Sequence, residues 1–235
     1  RNAYRTRRIL TGTLDGIEQT TGGKTLATVS FRGFRIAIPI REMLVLEDRM
    51  PSGRAYADYM NRLNRILGTM LGAEIDFIVK GIDSTTHSAV ASRREAMLRK
   101  RQTFYLGKDV SGNPYIYPGR LVEARVIAVA EKVLRVEAFG IECAIFARDL
   151  SWQWVSDVRD LYSVGDRVLV RVQEISGEDA EHLSIRADIR STFSETSVDN
   201  LKKCQVQSKY AGKVTDLRGG VVYIRLNNGV NAIAH

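Results

Sequence analysis

Gly33-Phe-Arg-Ile-Ala-Ile-Pro-Ile-Arg-Glu-Met43, Gly140-Ile-Glu-Cys-Ala-Ile-Phe-Ala-Arg-Asp-Leu150 and Gly229-Val-Asn-Ala-Ile-Ala-His235 are three versions of one pattern. Each opens on a turn glycine and continues as an apolar-alternating run with a small residue near its middle. A period of two is the mark of a half-buried strand. A second pair of segments follows the first two at a distance. Gly72-Ala-Glu-Ile-Asp-Phe-Ile-Val-Lys-Gly-Ile82 matches Gly165-Asp-Arg-Val-Leu-Val-Arg-Val-Gln-Glu-Ile175, and Ala91-Ser92-Arg93 then matches Leu183-Ser184-Ile185. Recurrence in the same order over more than a hundred residues indicates repeated units.

Working outward, the first unit takes Ile9 to Gln19, Lys24 to Phe31, Phe34 to Ile40, Glu74 to Ile82 and Ser88 to Ser92 as strands, with Gly22-Gly23 and Arg32-Gly33 as turns. An insert at 44–72 interrupts it. There Tyr56, Met60, Leu63, Leu67 and Met70 predict an amphipathic helix that caps the barrel mouth or docks a partner. The second unit takes Leu121 to Val129, Lys132 to Ala138, Ile141 to Phe146, Val168 to Ile175 and His182 to Ile185. The expected fold is mainly β: tandem five-stranded OB-fold barrels, the first with a helical insert and the third truncated. The expected divisions are a first domain at 1–92, a basic linker at 93–119, a second domain at 120–192 and an incomplete third unit at 204–235.

With these segments in place the chain resembles the S-one RNA-binding domain family, named after the large RNA-binding protein of the bacterial small ribosomal subunit. The resemblance is carried by Tyr-Ala-Gly-Lys-Val-Thr-Asp (210–216), Gly229 to His235, Val164-Gly-Asp-Arg-Val-Leu-Val-Arg-Val172 and Leu183-Ser-Ile-Arg186. It implies a five-stranded OB barrel whose second and third strands stack RNA bases on two aromatics and a His. Those positions fall on Gly220, Tyr223 and His235 in the third unit, on Lys132, Arg135 and Phe146 in the second, and on Thr25, Thr28 and Pro39 in the first. Of the family's Asp and Arg near the last strands only the Asp is kept, as Asp83. The first unit thus lacks the stacking platform. In the second, Lys132 and Arg135 either hold phosphates or stack beside Phe146, or the unit is a spacer or protein-contact module.

Charge refines this. The net charge is +8. Residues 1–119 carry 19 basic and 11 acidic groups, 120–192 carry 10 and 13, and 193–235 carry 6 and 3. A basic chain suits a polyanion, but the acidic middle is a poor main phosphate surface. The densest basic run is Arg93 to Lys108, with Arg93, Arg94, Arg99, Lys100 and Arg101. It reads as a solvated linker or a phosphate-contacting strip, with Arg5, Arg7 and Arg8 adding attraction. In the third unit Lys213 and Arg225 accompany Tyr223 and His235. Phe104, Tyr105, Tyr115 and Tyr117 either stack on bases or pack the joint, and Trp152 and Trp154 read as core or rim packing.

Other chemistries find little support. Gly22-Gly23-Lys24-Thr25 lacks the upstream glycine of a P-loop, where the chain has Glu18. His87, His182 and His235 are scattered, and Cys143 and Cys204 have no His pair nearby, so no metal or cofactor is expected. A disulfide between the two cysteines stays open. No run of about 18 apolar residues calls for a membrane. The sequence therefore predicts a cytoplasmic, non-enzymatic protein that binds single-stranded RNA through tandem repeats in translation or RNA metabolism. The alternatives are a scaffold docking to the ribosome or another RNA-processing complex, and single-stranded DNA binding.

Overall fold

The computed structural model describes residues 2–45, 51–193, 200–218 and 221–234. Five strands, β1 (Leu10–Gln19), β2 (Thr25–Phe31), β3 (Phe34–Pro39), β4 (Glu74–Asp83) and β5 (Ser88–Ser92), close into a barrel in the order β1-β2-β3-β5-β4. A second set, β6 (Leu121–Ala130), β7 (Val133–Ala138), β8 (Ile141–Phe146), β9 (Arg167–Ser176) and β10 (Ser184–Asp188), forms a sheet ordered β10-β9-β6-β7-β8. The connectivity is the same and the seam between β8 and β10 is nearly closed. These are OB barrels. β11 (Gly212–Arg218), β12 (Val221–Leu226) and β13 (Asn231–Ala234) make a three-stranded antiparallel sheet that repeats the start of the pattern. The helices among the described residues include α1 (Asn2–Arg5), which precedes the first barrel, α2 (Arg54–Gly68), inserted between β3 and β4, and α3 (Arg93–Arg101), which follows β5.

The glycines that head the repeat do the same local work in both barrels. Arg32 and Gly33 have φ of 49° and 79°, and Phe139 and Gly140 have φ of 48° and 89°. Two successive positive φ values make the hairpin turn whose twist matches the flanking strands. The first strands also share a bulge, between Leu14 and Gly16, Val126 and Ala128, and Val214 and Asp216. Ladder register aligns the units independently: Leu26 pairs with Pro39, and Val133 pairs with Phe146.

One sequence match is displaced. Asp83 pairs with Ser88, and Ser176 pairs with Ser184. Ser88 is therefore the counterpart of Ser184, not Ser92. The short motif of a small residue followed by serine occurs too often near 88–92 to fix its own register.

Leu14, Val29, Ile38 and Phe77 fill the first barrel, and Leu63, Leu67 and Met70 of α2 and the turn after it join that core. The later part of the stripe that predicted the helix is the face that buries, while Tyr56 at its start is exposed. In the second barrel Val126, Leu134, Val136 and Val170 pack with Tyr105 and Ile116, which precede the first strand of that barrel. Tyr105 also donates its hydroxyl to the Ala138 carbonyl at 2.8 Å. Residues 93–119 are thus not a free linker. Ser92 caps α3 by accepting from the Glu95 amide, α3 packs on β4, and a π-helical turn at Gln102–Leu106 hands the chain into the second core. Both Cys143 and Cys204 are free thiols, and burial pushes Cys143 up to about 12.

An added Cβ at Gly140 would lie 2.4 Å from the Met97 carbonyl oxygen of α3, whereas at Gly33 nothing stands within 4 Å. Gly33→Ala should therefore carry only the left-handed backbone cost, about 1 kcal/mol. Gly140→Ala should lose roughly 3 kcal/mol, because the barrel must also move away from α3. Urea unfolding of the two variants measures the gap, and equal losses would contradict this packing.

Candidate nucleic-acid interface

Alternation along β7 and β8 sends Leu134, Val136, Ala138, Ile141, Cys143 and Ile145 inward. Val133, Arg135 and Glu137 on β7 and Glu142, Ala144 and Phe146 on β8 therefore share the outer face. The two ends of that face differ in kind.

At one end the face is a joint. Arg93, at the start of α3, is wholly buried and donates to Glu137 at 2.5 Å, to Glu142 at 2.8 Å and to the Met43 carbonyl at 2.8 Å. Glu137 also accepts from Arg125 at 2.8 Å, and Arg125 reaches Asp76 of the first barrel at 2.6 Å. Lys100 adds a second cation to Asp76, and Arg135 pairs with Glu142. Burial alone would raise the Asp76 carboxyl, but Arg125 and then Lys100 outweigh it and hold the group at about 2. Burial likewise opposes ionisation of Glu142, and the charges of Arg93 and Arg135 overcome it, leaving the carboxyl below its ordinary range.

Most of the basic run of α3 is accordingly turned to acceptors within the protein, with Arg93 and Arg101 buried in the joint and Arg99 exposed. Arg101 is buried and donates to the carbonyls of Gly140 and Ala180 at 2.7 and 3.0 Å. Arg94 pairs with Glu181 at 2.6 Å, and Arg99 donates to the Arg7 carbonyl at 2.5 Å. Arg7 itself pairs with Glu95 at 3.3 Å. The acceptors are remote in sequence, which is why the run read as free charge.

At the other end the face is open. Phe146 is 52% exposed, and the Arg148 guanidinium stands 5.9 Å from its ring centre. Lys132, Phe146, Arg148, Gln153, Trp154 and Val155 line a groove of about 410 Å³. Lys132 turns its amine to the Ser156 carbonyl and lies 3.4 Å from Glu131. The structure thus brings Lys132 and Phe146 together and diverts Arg135 to Glu142. Trp154 and Arg148 join the groove although the sequence suggested only packing for the tryptophan. The nearby Trp152 does pack: its indole donates to the Phe193 carbonyl at 3.2 Å and carries Arg190 at 4.7 Å. An aromatic plate flanked by cations is suited to stacking a base and holding its phosphate, at about 1–3 kcal/mol per stacked base.

Residues 116–186 match the family model of the S1 RNA binding domain. The second barrel is an S1 domain. Over its whole length the chain is 21% identical to the small ribosomal subunit protein bS1 of Coxiella burnetii (strain RSA 493 / Nine Mile phase I), aligning across 99% of this chain and 37% of that protein. It is 22% identical to bS1 of Mycobacterium tuberculosis across 73% of this chain and 34% of the relative. The chain thus spans just over a third of the length of these curated relatives. Among solved structures, a chain of the a/eIF2alpha-aDim2p-rRNA complex from Pyrococcus horikoshii OT3 aligns with 38% of this chain and 53% of its own length, at a TM-score of 0.30 and 20% identity.

The other units differ from the S1 domain at the equivalent sites. In the first barrel Thr25 and Thr28 are buried and Pro39 ends β3. Asp83 accepts from the Thr85 and Thr86 amides in its own turn. In the third sheet Lys213 stands opposite Arg225, and Tyr223 pairs with Ile233 in the β12–β13 ladder. His235, Gly220 and the Tyr223 side chain lie outside the described residues. Among the described residues no cluster of His, Cys, Asp and Glu could hold a metal, and no helix is long and apolar enough to cross a membrane.

Removing Arg93 should leave Glu137 with Arg125 alone and Glu142 with Arg135 alone, and open a void where a buried cation stood. Arg93→Ala is expected to destabilise the protein by roughly 3–5 kcal/mol in urea unfolding at pH 7. Acid should act on the same joint. Asp76 has a depressed folded pKa, so its contribution is complete above its ordinary value of 3.8 and is lost as pH falls towards 2. A loss of roughly 2 kcal/mol over that interval, absent in Asp76→Asn, is the expected titration.

Proposed function

We propose that this is a non-enzymatic RNA-binding protein that takes single-stranded RNA on the open end of the β7–β8 face. The observation that carries the reading is the groove at Phe146, where an exposed ring and Trp154 meet Lys132 and Arg148 at the ends of the second and third strands of an S1 domain. Flat apolar rings accept splayed bases of any sequence, and single strands offer them. The third unit would add Lys213, Tyr223, Arg225 and His235, so that tandem engagement strengthens weak single contacts. The likeness to bS1 supports a role in translation or RNA metabolism in the cytoplasm, on the ribosome or another RNA-processing complex. A second reading, a protein-docking scaffold, is favoured by the first barrel, whose equivalent positions hold Thr25, Thr28 and Pro39.

Fluorescence anisotropy with labelled oligouridine tests the first reading. Phe146→Ala should weaken binding by about 1–3 kcal/mol, roughly 5- to 150-fold. Affinity should also fall steeply from 50 to 200 mM salt. No binding at micromolar protein would favour the scaffold. Binding that prefers matched DNA would move the assignment to single-stranded DNA.

A further inference from the structure

The insert helix α2 has two faces. One is buried in the first barrel through Leu63 and Leu67. The other carries Arg62 and Arg65, one turn apart, which places their Cβ atoms about 5–6 Å from each other. Both arginines are exposed, and neither makes an ion pair or side-chain hydrogen bond among the described residues. This sets them apart from the α3 arginines, which all have acceptors.

Arg62 and Arg65 do not face open solvent alone. They form one wall of a cleft of about 440 Å³ whose opposite wall is the β6–β7 hairpin, with Val129, Val133 and Arg135. Val133 is the ladder partner of Phe146. The cleft and the Phe146 groove are therefore neighbours on one outer face, running from aromatic plates past an apolar step to two unneutralised guanidinium groups. The lining is mostly apolar on the barrel side and cationic on the helix side. An extended polyanion with flat apolar appendages fits both.

We propose that α2, inserted in the first barrel, completes the RNA groove of the second. Arg62 and Arg65 clamp the phosphates of a single strand whose neighbouring base stacks at Phe146. The inference rests on the reading that Phe146 binds RNA, and it gives the insert a role outside its own barrel. It also lengthens the site. A di- or trinucleotide reaches the Phe146 groove alone, and a longer strand reaches both.

The test is anisotropy on the full chain with labelled oligouridines of about 3 and about 12 nucleotides, using wild type, Arg62→Glu/Arg65→Glu, Phe146→Ala, and Lys24→Glu as an exposed charge-reversal control distant in sequence from the groove. The double variant should bind the 12-mer roughly tenfold or more weaker, with the slope of log affinity against log salt reduced by about two. Its affinity for the 3-mer should stay within about twofold of wild type, and Lys24→Glu should change neither. Photocrosslinking of thiouridine-bearing 12-mer to wild type should give adducts in residues 59–69, a readout that needs no variant to fold. If Phe146→Ala weakens both oligomers while the double variant binds the 12-mer like wild type, the clamp fails and the stacking site stands. A double variant no weaker than Lys24→Glu also removes the clamp. If wild type binds neither oligomer, both readings fall. An acidic peptide that binds wild type but not the double variant, with RNA affinity equal in both, would assign the cleft to a protein partner.

Discussion

A guanidinium with no solvent contact sits where the two barrels meet. Arg93 reaches two carboxylates of the second barrel and a carbonyl of the first, and an adjoining chain of charges runs through Glu137 and Arg125 to Asp76. Burying that many ions is costly, and a comparable apolar joint could be as stable. What the ions add is direction. A guanidinium fork satisfies its acceptors in one arrangement only, so the network fixes how the barrels face one another. With that orientation set, β7 and β8 present one end to the joint and the other to the open groove, and α2 is held beside the hairpin.

The same network changes how net charge is to be understood. The first 119 residues hold an excess of eight positive groups, and the second barrel holds an excess of three negative ones. Part of that difference is internal complementarity: Glu137, Glu142 and Glu181 of the second barrel receive Arg93 and Arg94. Formal charge does not separate such paired cations from the rest, and among the rest are Arg62 and Arg65. Formal charge therefore overstated the α3 run and gave no weight to Arg62 and Arg65, which a polar helix face made look ordinary.

Strand order and the repeat were legible because alternation and turn glycines are local signals. So was α2, whose apolar stripe at 4-3-4-3 spacing enters the first core from Met60 onward. The family positions Lys132, Arg135 and Phe146 could also be located, because the hairpin register follows from the turn at Gly140. What could not be read was which charges find each other, since Arg93 and Glu142 are 49 residues apart. Trp154 lay hidden for a related reason. Its exposure beside Phe146 depends on the irregular path after β8, which carries no periodicity. The register of β5 failed on too short a motif.

The bulge in β6 has a consequence for how such a protein can diversify. Ile127, the extra residue of that bulge, belongs to the second barrel by sequence yet lies in the hydrophobic core of the first, fully shielded from water. Repeat proteins are often treated as beads that evolution can delete, duplicate or exchange singly. Here a cut between the first two beads would lay bare an isoleucine on one side and open a vacancy on the other. This pair is inherited as a unit, and recombination that respects its packing has to fall outside both.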